Sequence, residues 1–175
     1  MSIHTHLDQQ VQAGRLGIWK PATPGIEFTR TLLFTQEIYD AFQPDSWKDY
    51  EKPYRFGLLR ADFDHFTSGG EITFAMDPYD KDQAAFFARV DPVALGVVDI
   101  RSRSPKPAVR VFGAFVEADC FVAMKAVFRT ELGVGNNWDR LREDAIAIWG
   151  RDFEGFERLI GDNVNDYVTS AVTAV

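Results

Sequence analysis

The chain has 175 residues, 46% of them hydrophobic, and its 15 Phe and 4 Trp supply the bulk for one substantial core while leaving no room for a second domain. A net charge of −7 and an isoelectric point near 4.9 argue against a general nucleic-acid coat or a binder of anionic membranes. Apolar runs of only a few residues, far short of the roughly 20 needed to span a bilayer, an N-terminal stretch with no basic start and apolar core, and the unpaired Cys120 together predict a cytoplasmic protein without membrane contact or an internal disulfide.

In chain order, residues 1–14 are polar and without a clear period, which predicts a mobile N-terminus ahead of a single α+β domain over 15–175. His4 and His6 flank Thr5 in this stretch and read as an incidental pair rather than a metal site. Leu16 to Trp19 and Ile26 to Phe34 are β-branched and aromatic around Pro21, Pro24 and Gly25, the text of two short strands and a turn. Thr35 opens a helical turn over Gln36 to Phe42, and Pro44 closes it. Ser46 and Asp49 have the spacing of a capping box, with Pro53 ending the short helix it would start.

Leu58, Leu59, Phe63 and Phe66 recur at helical spacing and Gly69-Gly70 offers a left-handed exit, so a helix is expected over Phe56 to Ser68 with His65 and Asp62 on its other side. Nothing local orients His65 as an acid or base. A strand over Glu71 to Met76 is followed by a helix expected from Asp80 to Val90, its inner face carrying Ala84 and Phe87. Asp77, Asp80 and Asp82 lack the glycine and bidentate Glu of a calcium loop and read as solvated caps.

The charge balance changes between Arg101 and Thr130. Six cations, Arg101, Arg103, Lys106, Arg110, Lys125 and Arg129, face only Glu117 and Asp119, a local balance of +4, while the remaining 13 basic and 24 acidic residues balance at −11. A positive segment in a negative chain points to a local anion site. The pattern is an antiparallel meander in the C-terminal half: strands at Ala94–Arg103, Val109–Val116 and Phe121–Arg129, joined by a Ser104-Pro105-Lys106-Pro107 turn and a Glu117–Asp119 hairpin. Period-two geometry groups Asp99, Arg101 and Arg103 on one face of the first strand, Arg110 with Phe112, Ala114 and Val116 on one face of the second, and Lys125 with Arg129 on the third. Whether those faces coincide depends on register, and a slip of one residue inverts the answer.

After Gly133 and Gly135, a cap at Asn136 or Asn137 starts an amphipathic helix with Trp138, Leu141, Ala145, Ile148 and Trp149 inward. Phe153 to Ile160 reads as another apolar turn, and Val164 to Val172 as a docked C-terminal helix. The fold class is therefore α+β, a meander packed by helices with additional N-terminal strands and helices.

Asp99-Ile100-Arg101, Val109-Arg110-Val111-Phe112, Phe121-Val122-Ala123-Met124 and Phe128-Arg129 ahead of a late helix resemble the sheet text of the RelE/HigB-like toxin superfamily, over residues 98–147. That resemblance implies ribosome-associated RNA cleavage, with Arg101, Arg110 and Arg129 as the RNA-directed residues. Such cleavage needs a base for the 2′-hydroxyl as well as charge stabilisation, and arginine stays protonated. No base lies in the block, so the catalytic residues are unknown and enzyme activity is left open. No nucleotide loop, dinucleotide fingerprint, nucleophile elbow or zinc motif is present, and no cofactor or metal is expected. The competing readings are basic residues that only solubilise a sheet face, and a non-catalytic module receiving a protein or small ligand around Trp47, Tyr50, Tyr54 and Phe56.

Overall fold

The computed structural model describes residues 1–43, 51–104, 106–133 and 137–175, with side chains described outside 51–54. These residues form an eight-stranded sheet with helices on both faces. The elements are α1 (Ile3–Gln12), β1 (Leu16–Ile18), β2 (Thr31–Thr35), α2 (Gln36–Ala41), α3 (Glu51–Thr67), β3 (Ile72–Ala75), β4 (Phe87–Arg89), β5 (Val98–Ser102), β6 (Val109–Glu117), β7 (Cys120–Phe128), α4 (Asn137–Asp152), α5 (Val164–Tyr167) and β8 (Val172–Ala174). Across the sheet the order is β1-β2-β7-β6-β5-β4-β3-β8. The β5–β6–β7 meander forms its centre, as its β-branched and aromatic text dictates.

Each face buries its own core. Phe63 and Phe66 of α3, with Ile38 of α2 and Tyr167 of α5, cover Ile100, Val111 and Phe115. Leu7 of α1 and Ala145, Ile148 and Trp149 of α4 cover the opposite face at Phe112, Ala114 and Val122. A sheet covered on both sides explains why its central strands are buried almost without alternation. No helix among the described residues is long and apolar enough to cross a membrane.

Several elements differ from their sequence reading. Residues 3–12, read as unpatterned, form α1, capped by Ser2, whose side chain accepts from the Thr5 N–H. The inner face of α1 hides behind polar letters: His6 and Gln10 are buried with Leu7, and His6 Nε2 lies 2.7 Å from the Asp152 carbonyl oxygen. Pro53, read as a helix stop, lies in the first turn of α3, where its missing N–H has no acceptor to lose. The left-handed exit is found at Gly69, φ 79°. The cap at Ser46 and Asp49 lies outside the described residues, as do Trp47, Tyr50, the Tyr54 side chain, Pro105, Gly135 and Asn136.

The helix expected from Asp80 to Val90 is absent. Asp77 and Asp82 accept from the N–H groups of Tyr79 and Ala84, local bonds that compete with helix formation, and Phe87–Arg89 becomes strand β4. The C-terminal helix is a single turn, Val164–Tyr167, after which the chain extends as β8 beside β3. Arg30 holds this extension: its guanidinium, 3% exposed with its residue, donates to the carbonyls of Phe66 at 3.2 Å, Gly70 at 2.9 Å and Ser170 at 2.7 Å.

Strands β3 and β4 are parallel neighbours. Parallel neighbours require a crossover rather than a hairpin, so residues 76–86 must pass over the sheet. They do so on the α4 side, bringing Asp82 to the basic residues of β5.

Candidate anion-binding site

The meander register settles which faces coincide. Arg101 on β5 stands opposite Arg110 on β6, and Asp99 opposite Phe112. Arg110 in turn faces Val127 on β7, and Phe112 faces Lys125. Residues directly opposite share a face, so Asp99, Arg101, Arg110, Lys125 and Val127 all point to the α4 side. A bulge makes this possible: the pairing steps from Phe112–Lys125 to Gly113–Ala123, leaving Met124 as an extra residue. Met124 and Val127 both enter the core under α4, so the phase of β7 reverses at the bulge.

The ladder continues past the strand ends, where the Arg129 N–H donates to the Ala108 carbonyl at 2.7 Å. The same alternation carries Arg103 and Arg129 to the open tip of this face, with Lys106 exposed in the turn beside them. From tip to interior the series runs from exposed Arg129 and Lys106, through half-buried Arg103 and Arg101, to buried Arg110 and Asp99.

At the inner end, Arg110 is 6% exposed and Asp99 is 1% exposed. Arg110 Nε lies 3.3 Å from Asp99 Oδ2, but Arg110 Nε and Nη1 and Asp99 Oδ1 make no hydrogen bond. Burial pulls the Arg110 pKa down to about 10, against Asp99 and with the added repulsion of Arg101, Arg129 and Arg103. Burial also raises the Asp99 carboxyl, against the opposing pull of Arg110, Lys81 and Arg101. Lys81, from the crossover, is lowered chiefly by the same desolvation. Arg101 Nη1 donates to the Asp82 carbonyl at 2.6 Å, tying the crossover to β5.

The six predicted cations therefore divide. Arg101, Arg103, Arg110 and Arg129 belong to one electrostatic cluster, while Lys106 is exposed in the turn between β5 and β6. Lys125 shares the face but is drawn to α4, where its Nζ lies 3.6 Å from Asp144 Oδ2 at a cleft of about 260 Å³ lined also by Leu141 and Arg140. Two contributors escape a reading of the sequence. Lys81 sits in a segment whose apolar spacing imitates a helix, and Trp138, a core position by its helical spacing, is half-buried with the Arg129 guanidinium 5.5 Å from its ring centroid.

The arginines of the cluster can hold and orient an anion but stay protonated and are not suited to moving a proton at neutral pH. His65 is on α3, across the sheet, with Nε2 2.8 Å from the Glu71 carbonyl oxygen. On that face Asp62 accepts from the Ser102 hydroxyl, which in turn accepts from Arg55 Nη2 at 2.7 Å. Cys120 is buried, and desolvation with the Glu117 charge pushes its thiol up to about 12. Among the described residues no group of three or more His, Cys, Asp and Glu is placed to hold a metal ion. Phe56 is core, packed on Phe42 and Phe128.

Comparison with known proteins finds no matching family model, no matching curated protein and no matching solved structure.

Proposed function

We propose that the protein is an RNA-directed domain that binds a single strand through the basic tip of the meander. The observation that carries this reading is the convergence of Arg101, Arg103, Arg110 and Arg129 on one sheet face, with Trp138 under Arg129 and Lys106 exposed in the turn between β5 and β6. Exposed cations follow phosphates, and a half-buried indole beside an arginine offers a stacking surface for a base. Binding rather than cleavage is proposed because the cations gathered at the tip are arginines, which stay protonated and supply charge rather than a base. The resemblance of residues 98–147 to ribosome-directed toxins adds the expectation that the RNA is encountered on the ribosome. A buried, unpaired thiol suits a cytoplasmic setting.

The test is anisotropy of a labelled single-stranded RNA over a salt series, with a variant carrying Arg103→Gln, Lys106→Gln and Arg129→Gln. These positions are partly or fully exposed, so the fold should persist. The parent should bind with a log–log salt slope of about −2, and the variant should lose most of that slope. A parent that does not bind RNA, or binds it as well as the variant does, overturns the reading.

A second reading rests on a different place. Between α1, α2 and α4 lies a cleft of about 500 Å³ lined by Arg15, Glu37, Asp40, Arg151 and Asp152, charges of both signs that suit a small zwitterionic ligand or a peptide. Binding there would be insensitive to the tip variant.

A further inference from the structure

The basic series does not stop at the surface. It leads inward to a guanidinium whose residue is 6% exposed, with an unpartnered Nη1, beside a carboxylate with an unpartnered Oδ1. Buried charged groups are ordinarily fully hydrogen-bonded, because each orphaned donor or acceptor forfeits its hydration without return. Arg110 and Asp99 are close enough to attract each other yet are not aligned to bond. Asp99 therefore behaves as a resident counter-ion that leaves part of the guanidinium unclaimed.

Depth and charge narrow the class of anion. An internal phosphodiester carries a nucleoside on each side, so surface residues such as Arg103 and Arg129 can reach it but a guanidinium beneath them cannot. A phosphate at a chain end has one substituent and three free oxygens. Three cations, Lys81, Arg101 and Arg110, act on Asp99 at the inner position, and Asp91 adds an opposing charge near Lys81. A phosphate monoester, which carries about −1.5 to −2 at pH 7, offers these donors three free oxygens where a diester offers two. Arg101 is half free for it: its Nη1 is bound only to the Asp82 carbonyl of the crossover, a neutral acceptor that a phosphate oxygen would outcompete.

We infer that the inner end of the basic face takes a terminal phosphate monoester, seated on Arg101 and Arg110 with Lys81 closing over it, while the strand that bears the phosphate lies along the tip. Binding exchanges the Arg101–Asp82 carbonyl bond for a charge-assisted one and engages Arg110 Nη1. The inference rests on the RNA-directed reading for the source of the phosphate; the recognition of a monoester stands without it.

The test compares three probes on the full chain: a short labelled single-stranded RNA with hydroxyl ends, the same RNA with a terminal phosphate, and adenosine monophosphate against adenosine. The phosphorylated RNA should bind at least about tenfold more tightly than its hydroxyl twin. Arg101→Gln, at a half-buried position, should erase that difference: whatever it costs the hydroxyl-ended RNA, the ratio of the two affinities should fall to about one. Arg110→Lys provides a second variant that keeps the charge but shortens the fork, and it should weaken the preference in protein whose melting confirms the fold.

Equal affinity for both RNAs overturns the terminal-phosphate inference and leaves RNA binding intact. Binding of adenosine monophosphate but of neither RNA upholds the monoester site and overturns the RNA reading. Binding of none of the probes overturns both. A phosphate preference undiminished in both variants also overturns the inference.

Discussion

Arg101 and Arg110 are direct cross-strand partners, two like charges side by side on adjacent antiparallel strands. Such a pair is unfavourable by itself, and Asp99, two residues before Arg101 on the same face, is the compensating charge. Burial nonetheless raises the Asp99 carboxyl against all three cations, so its charged form is the costly one at neutral pH. Arg110→Met, which leaves that carboxylate buried with Lys81 and Arg101 alone, should cost about 3 kcal/mol. Asp99→Asn, which resembles the protonated form, should cost less, and the double variant Asp99→Asn with Arg110→Met should recover much of the Arg110→Met loss. Urea denaturation of the four proteins measures the coupling, and additive single effects would show that the two side chains do not act as a pair.

Asp62, on the other face, is governed by the same balance. Burial raises its pKa, although the Ser102 hydroxyl, Arg55 and His65 pull it down. A carboxyl raised in the folded state binds its proton more tightly there than in the unfolded chain. Its contribution is fully present below the ordinary value of 3.8 and is lost as pH rises through the raised value. Asp62→Asn, which resembles the protonated form, should be more stable than the parent at neutral pH, with the gap closing as the medium is acidified toward the ordinary value. Denaturation midpoints of both proteins over that range are the measurement. A gap independent of pH would mean that the carboxyl is not strained by burial.

Arg30 joins the end of α3 to the C-terminal strand. It donates to three carbonyls from two distant segments, and its Nε lies 3.9 Å from Asp119 Oδ1. Asp119 completes the tie, accepting from the Thr169 N–H at 3.0 Å. Arg30→Met removes the donors and leaves buried carbonyls unpaired, a loss of about 3 kcal/mol. Arg30→Lys should not restore it, since one ammonium cannot span the fork. Hydrogen exchange should show β8 losing protection before the meander does. Uniform loss across the sheet would indicate a general core defect instead.

The meander was legible because Pro and Gly bound three runs of β-branched and aromatic residues, and the α4 helix because Trp138, Leu141, Ala145 and Ile148 keep its period. Other elements were hidden by the physics that forms them. The inner face of α1 uses His6 and Gln10, polar letters satisfied by tertiary bonds. Strand β4 is short and covered on both sides, so Ala84, Phe87 and Val90 imitate a helix face. At the site, the six cations could be named from the sequence, but the meeting of Arg101 with Arg110 hung on the β5–β6 register and that of Arg129 with them on one bulge in β7, and Lys81 arrives by a crossover that only the sheet order dictates.

That bulge makes Gly113 a position where stability and the site are coupled. A Cβ there would lie 2.2 Å from the Val122 carbonyl oxygen and 2.3 Å from the Phe121 ring, so backbone must move to accept it. Gly113→Ala should cost about 3 kcal/mol. Gly17→Ala is the comparison: its Cβ would meet the Phe34 ring at 2.1 Å, but that ring is a partly exposed side chain next to the sheet edge and can swing away, at about 1 kcal/mol. The two should also differ in function. Shifting Gly113 against Val122 disturbs the step at which β7 reverses phase, and with it the alignment of Arg129 with Arg103 and Arg110. Gly113→Ala should therefore weaken RNA binding in protein that is still folded, while Gly17→Ala should leave it unchanged. If Gly113→Ala binds like the parent, the bulge does not set the geometry of the basic face.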